Sequence, residues 1–238
     1  MDSETDQTSG IPADPEQVLA LSEQLAGFAL SIVQDPETRG VRVEEYLTVL
    51  AAAAGEAVLA SSGVIDIESN PMNPGGAILG APINIVLSGD VMSFAEVPAD
   101  SAMGILIGRL VPDVFSLDQF GSVADVFKHV VEHIGQAEWG RVATSVPEQN
   151  QPGILPVKAA FDLRDAVTAV QKALGLPLAQ RYVPCVHALA FALTQTRSAI
   201  EPNVALTLSL QVLFTMAKMV PVPKSAFDEA PSTEAEAG

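Results

Sequence analysis

From Pro202 to Ala217 this chain carries no charged side chain, and the stretch around it, Glu201–Met219, limits the available folds more than any other. Pro202 suits the first turn of a helix, where its fixed φ is pre-organised and its missing N–H has no partner to lose. Wound as a helix, Leu206, Leu210, Leu213, Phe214 and Ala217 share one face, while Val204, Leu208 and Val212 cover much of another. A helix apolar on two faces must be surrounded by protein. Extended, the same residues from Val204 to Phe214 also alternate, so periodicity alone admits a strand. The run is long for a strand and rich in leucine, which favours the helix.

The rest of the chain supplies material to surround it. Of 238 residues 48% are hydrophobic but only 5% are aromatic, so the core is built from Ala, Leu, Val and Ile. Small apolar residues let helices approach closely and suit a bundle better than a sandwich. Asp14-Pro15-Glu16-Gln17 reads as a helix start, followed by Val18, Leu21, Leu25, Phe28 and Ile32 on one face. Val43, Tyr46, Leu47, Leu50, Ala54 and Val58 mark a second helix, in which Ala51–Gly55 leaves no bulk and invites a close neighbour. Further helices are expected over about Asp100–Leu110, over 116–135 with Ser116–Gln119 as a capping box, from Pro156 to a stop at Gly175, and from Pro184 to Ala199.

Residues 63–98 stay open between short strands at Val64–Ile67 and Ile83–Leu87 and a short buried helix over Pro82–Ser88 stopped by Gly89. The expected fold is therefore all-α: a single multihelical domain over 14–223, of about seven or eight helices around the C-terminal one, with a small irregular or β segment at 63–98. The connection 139–155 is the one plausible linker, but the helices on both sides need covering. Residues 1–13 and 224–238 are polar and acidic and are expected to form disordered tails.

Charge narrows the function. The net charge is −17, of which residues 1–17 and 224–238 carry −8. Twelve scattered Lys and Arg cannot form the basic stripe that phosphate binding needs, so no nucleic-acid partner is expected. No membrane partner is expected either, because an acidic body is repelled by anionic surfaces and the uncharged helical runs are too short to span. One cysteine, Cys185, excludes an internal disulfide. The start MDSETDQTSG lacks the basic and apolar regions of a signal peptide, so a soluble, cytoplasmic protein is expected.

The sharpest motif is His129-Val-Val-Glu132-His133. It resembles the H-x-x-E-H pattern of inverzincin metalloproteases. Histidines four apart share a helix face and can both ligate Zn²⁺, with Glu132 as base for the bound water. Such a site needs a further carboxylate, for which Glu201 is the best candidate. The competing reading is packing, with His133 at the edge of the apolar face centred on Val130, His129 just beyond it and Glu132 on the solvated side.

Cys185 and His187, two apart, diverge on a helix and are expected to be structural rather than a nucleophile–base pair. Gly75-Gly76-Ala-Ile-Leu-Gly80 can offer N–H groups to an anion, but without the Lys-Ser/Thr of a P-loop a turn with tight packing is the plainer use. Asp162, Arg164 and Asp165 read as a solvated face. Trp139 and Arg141, with Arg39, Arg42, Glu44 and Glu45, are possible partner contacts.

No catalytic set is complete, and no cofactor is called for outside the zinc reading. The leading expectation is a non-enzymatic helical protein acting through a protein partner or self-association as a homo-oligomer. The alternatives are a zinc-dependent hydrolase using His129, Glu132 and His133, and a small-molecule binder with an inter-helix pocket near the Asn70–Gly76 loop.

Overall fold

The computed structural model describes residues 14–67, 69, 72–110, 114–115, 117, 122–134 and 140–223. Both expected tails, Trp139, and the Ser116 and Gln119 of the expected capping box lie outside them. Eight α-helices follow one another among the described residues: α1 (Pro15–Val33), α2 (Val43–Ser61), α3 (Ala81–Ser88), α4 (Ala102–Arg109), α5 (Val123–His133), α6 (Pro156–Ala173), α7 (Val183–Thr196) and α8 (Pro202–Met216).

Local signals set most helix ends. Asp14 caps α1 by accepting from the Glu16 N–H at 3.1 Å, with Pro15 in the first turn. Glu201 does the same for α8, accepting from Asn203 N at 3.1 Å and Val204 N at 2.8 Å. Gly175, at φ 60°, takes the left-handed position after α6 that the sequence reserves for it. The α5 helix starts later than expected: Ser122 and Asp125 form its capping box, with Ser122 N donating to Asp125 Oδ2 at 2.8 Å. The ambiguous segment resolves as helix α3, ended by Gly89 at φ 75°. Among the described residues, what remains of the expected β segment is one antiparallel bridge, Ala77 with Met219.

Two helices share the centre. In α2 every residue from Tyr46 to Leu59 is buried, and in α8 every residue from Leu208 to Met216 is. Their mutual contact is the most extensive in the fold, and α6 and α7 pack on the other sides of α2. The Ala51–Gly55 run is what lets α8 come so near. A Cβ built on Gly55 would lie 2.4 Å from Leu213 O and 2.6 Å from Met216 Cβ, inside any permissible contact. Around this pair α1 covers α6 and α7, α4 lies on α7, and α5 lies on α8 through an edge-to-face contact of Phe127 with Phe214 at 5.0 Å.

The described part of the 139–155 connection is stapled to the body. Gln211, buried on α8, accepts from Ser145 N at 2.7 Å and donates to Ser145 Oγ at 2.8 Å. Asn150 donates to Glu44 Oε1 at 2.8 Å, and Arg42 to Gln151 O at 3.2 Å. The helices on either side of it belong to one core. None of the described helices is long and apolar enough to cross a membrane.

Candidate ligand-binding cleft between α2 and α6

Glu56 is the one carboxylate in the buried length of α2, and one turn either side of it the helix carries Ala53 and Ala60, with Ala57 beside it. Alanines at this spacing share a face and fill little space. Opposite them α6 presents Ala160, Arg164, Val167, Thr168 and Gln171, again at one-turn spacings. The short side chains of α2 leave a gap that neither helix fills. Ile65, Asp66 and Ile67 wall one side and Leu178 and Arg181 another, enclosing about 630 Å³. That is within the range of small-molecule sites, roughly 300–1,000 Å³.

The floor is held by a buried ion pair. Arg164 Nε donates to Glu56 Oε1 at 2.7 Å, and Nη2 donates to Oε2 at 2.8 Å. The two side chains are 12% and 8% exposed. Nη1 donates to Val222 O at 3.0 Å, which ties the chain after α8 to the same point, and the guanidinium lies over Phe161. A bidentate pair of this kind is geometrically fixed and charge-neutral as a unit. Lys172 and Arg181, both exposed, line the cleft beyond it. Neither side chain forms an ion pair or hydrogen bond among the described residues, so both charges face solvent at the mouth.

The residues singled out by sequence lie elsewhere. His129 and His133 share a face of α5 as expected, with rings stacked at 4.5 Å. One ring nitrogen of each meets a backbone carbonyl: His129 Nε2 lies 3.0 Å from Ala143 O, and His133 Nδ1 lies 2.7 Å from His129 O. His129 is half-buried and His133 exposed, the reverse of the order expected from the apolar face, because the 140–146 segment folds over His129. Glu132 points to solvent and pairs along the helix with Lys128 at 4.0 Å. Glu201 is committed to capping α8. Among the described residues no group of three or more His, Cys, Asp or Glu converges as a metal site would require. Two histidines with no third converging donor among the described residues fall short of the three protein ligands of a catalytic zinc, and no step is routed through one.

Gly75 and Gly76 do not present free amides either. Gly75 N donates to Val220 O at 2.9 Å, Gly76 N to Asn73 O at 3.2 Å, and Gly76 O accepts from Val220 N at 2.8 Å. They pair the loop with the chain after α8, the packing role that was their plainer reading. Arg141 is exposed at the start of its loop. Asp162 pairs with Lys158 at 2.5 Å on the surface, whereas Arg164 between the acids turns inward to Glu56.

Cys185 and His187 diverge as helical spacing demands. Cys185 is 1% exposed, and burial, with the Glu56 carboxylate adding to it, pushes its thiol up to about 12. His187 lines a smaller pocket of about 180 Å³ with Ser22, Glu23 and Arg109, and its Nδ1 is buried without a hydrogen-bond partner among the described residues. Burial, reinforced by the Arg109 charge, lowers its pKa to about 4.

Sequence reasoning missed the Glu56–Arg164 pair and the cleft above it. The available signal was a single acid inside an otherwise apolar, Ala-rich helix, which needs a cation from elsewhere in the chain. Comparison with protein-family models, with curated proteins and with solved structures finds no match to this chain.

Proposed function

We propose that this protein is a non-enzymatic binding protein whose ligand is a small molecule held between α2 and α6. The observation that carries the reading is the cleft of about 630 Å³, floored by the neutralised Glu56–Arg164 pair and walled by short apolar side chains. Apolar walls with a few fixed polar groups are what small-molecule sites are made of. This moves the pocket from the Asn70–Gly76 loop, where it was expected, to the preceding segment 63–67 and the α2–α6 face.

Thr168, half-buried on the α6 wall, gives the test. Thr168→Trp puts a bulky ring into the cleft from the α6 wall, one turn from Arg164, and leaves both members of the ion pair in the chain. Native mass spectrometry of the gently purified protein should reveal a retained small molecule, or a metabolite screen should raise its melting temperature, and Thr168→Trp should abolish either effect while staying folded. A folded wild type that retains nothing and responds to nothing in the screen overturns the reading.

The partner or self-association reading stands second, and one observation favours it. Leu79, Ile85 and Met92, on α3 and its flanks, are 61%, 57% and 59% exposed. Light scattering across a concentration series tests it, a strictly monomeric mass counting against homo-oligomers.

A further inference from the structure

We infer that the α2–α6 cleft selects an amphipathic organic anion, a compact apolar body carrying one negatively charged head group. The inference rests on the small-molecule reading above and adds the charge and polarity of the ligand.

Its first ground is where the cations are. The chain has a net charge of −17 and only twelve Lys and Arg, yet three of them, Arg164, Lys172 and Arg181, line this one cleft. Two carboxylates, Glu56 and Asp66, line it with them, so the lining is net positive on a strongly acidic protein.

The second ground is how those charges are used. Glu56 is cancelled by Arg164 in a bidentate pair that also holds Val222 O, so no open negative charge faces a ligand from the floor. Asp66 sits on the side wall and accepts from Ser69 Oγ at 2.7 Å. Among the described residues, Lys172 and Arg181 are the two cleft cations without such a partner. The Arg181 backbone carbonyl accepts from Gln171 Nε2 at 2.9 Å, which anchors the base of that residue beside α6 while its side chain stays exposed. A charged donor at a cleft mouth that meets no acceptor among the described residues is suited to a carboxylate, sulfonate or phosphate oxygen.

The third ground is the wall between. Ala53, Ala57, Ala160 and Val167 are buried and present only methyl groups to the space. Leu178, 47% exposed, lies at the opening, where an apolar side chain gains most from a ligand covering it. A ligand that was all charge would leave this surface unsatisfied, and one that was all hydrocarbon would make no use of the two cations.

Decanoate and decanol give a matched pair of probes, alike in their tail and different in charge. Titration calorimetry on the full chain at low salt should show decanoate binding about ten-fold more tightly than decanol, with the difference shrinking as salt is added. Lys172→Gln with Arg181→Gln, both at exposed positions, should abolish the preference, so that decanoate and decanol bind the double variant alike. Thr168→Trp should remove both. Equal binding of the two probes, or a double variant that keeps the preference for decanoate, overturns the anion assignment and leaves the cleft standing as a neutral-ligand site. Binding of neither probe overturns the amphipathic-anion assignment, the small-molecule reading then resting on the retained-ligand and metabolite-screen test. Binding that a folded Thr168→Trp variant retains overturns the placement of the ligand in this cleft.

Discussion

Arg164 on α6 grips Glu56 on α2 through two hydrogen bonds of 2.7 and 2.8 Å, joining residues 108 positions apart at the floor of the cleft. Both side chains are largely shielded from solvent, so removing one strands the other as an unpaired charge. Arg164→Ala should cost about 3–5 kcal/mol in urea denaturation. Replacing both, as Glu56→Leu with Arg164→Met, should recover most of that loss, since an apolar pair of similar volume needs no counter-charge. If the double variant is as unstable as the single one, the pair is holding more than its own charges.

Gly55 sits where α2 and α8 touch. Gly55→Ala forces a methyl group against Leu213 O and the Met216 Cβ and should destabilise by about 2–3 kcal/mol. Gly27 in α1 and Gly108 in α4 have open space where a Cβ would go. The same substitution at either should stabilise by about 0.5–1 kcal/mol through helix propensity alone. Thermal melts of the three variants should therefore move in opposite directions.

His187 makes stability depend on pH. Its folded pKa, about 4, lies below the ordinary 6.5, so in mild acid the unfolded chain takes up a proton that the folded protein refuses. Its contribution is complete above pH 6.5 and is lost as pH falls towards 4. The ring is only half-buried, and with solvent screening the loss should be about 1–2 kcal/mol. Glu23 and Arg109, which line the same pocket, set its charge surroundings. His187→Gln should flatten the denaturation midpoint over that pH window, and a variant with the wild-type slope would contradict the assignment.

Cys185 should be inert while the protein is folded. It is 1% exposed and its thiol is pushed up to about 12, so almost no thiolate exists at neutral pH. Iodoacetamide should label it only after denaturant is added. Rapid labelling under native conditions would show that α7 opens readily.

Much of the fold was legible along the chain. The uncharged run of α8, the Asp14–Pro15 start, the Gly175 stop and the Ala51–Gly55 gap each act through near neighbours or one-turn periodicity, and each appears where those rules place it. Segment 81–88 was ambiguous because eight residues with a proline and a run of apolar side chains satisfy strand and helix patterns alike. The burial order of His129 and His133 was misread because it depends on a loop that folds back over α5.

The cleft was out of reach for a stronger reason. Its floor joins α2 to α6, its mouth gathers Lys172 and Arg181 from either side of a turn, and its emptiness comes from alanines that on a helix look only like good packing. Periodicity and end signals report on interactions within a few residues and so specify which helices form and which faces are apolar. Whether two such faces close or leave a gap, and which distant cation meets a buried acid, depends on volumes and charges summed across the packed assembly.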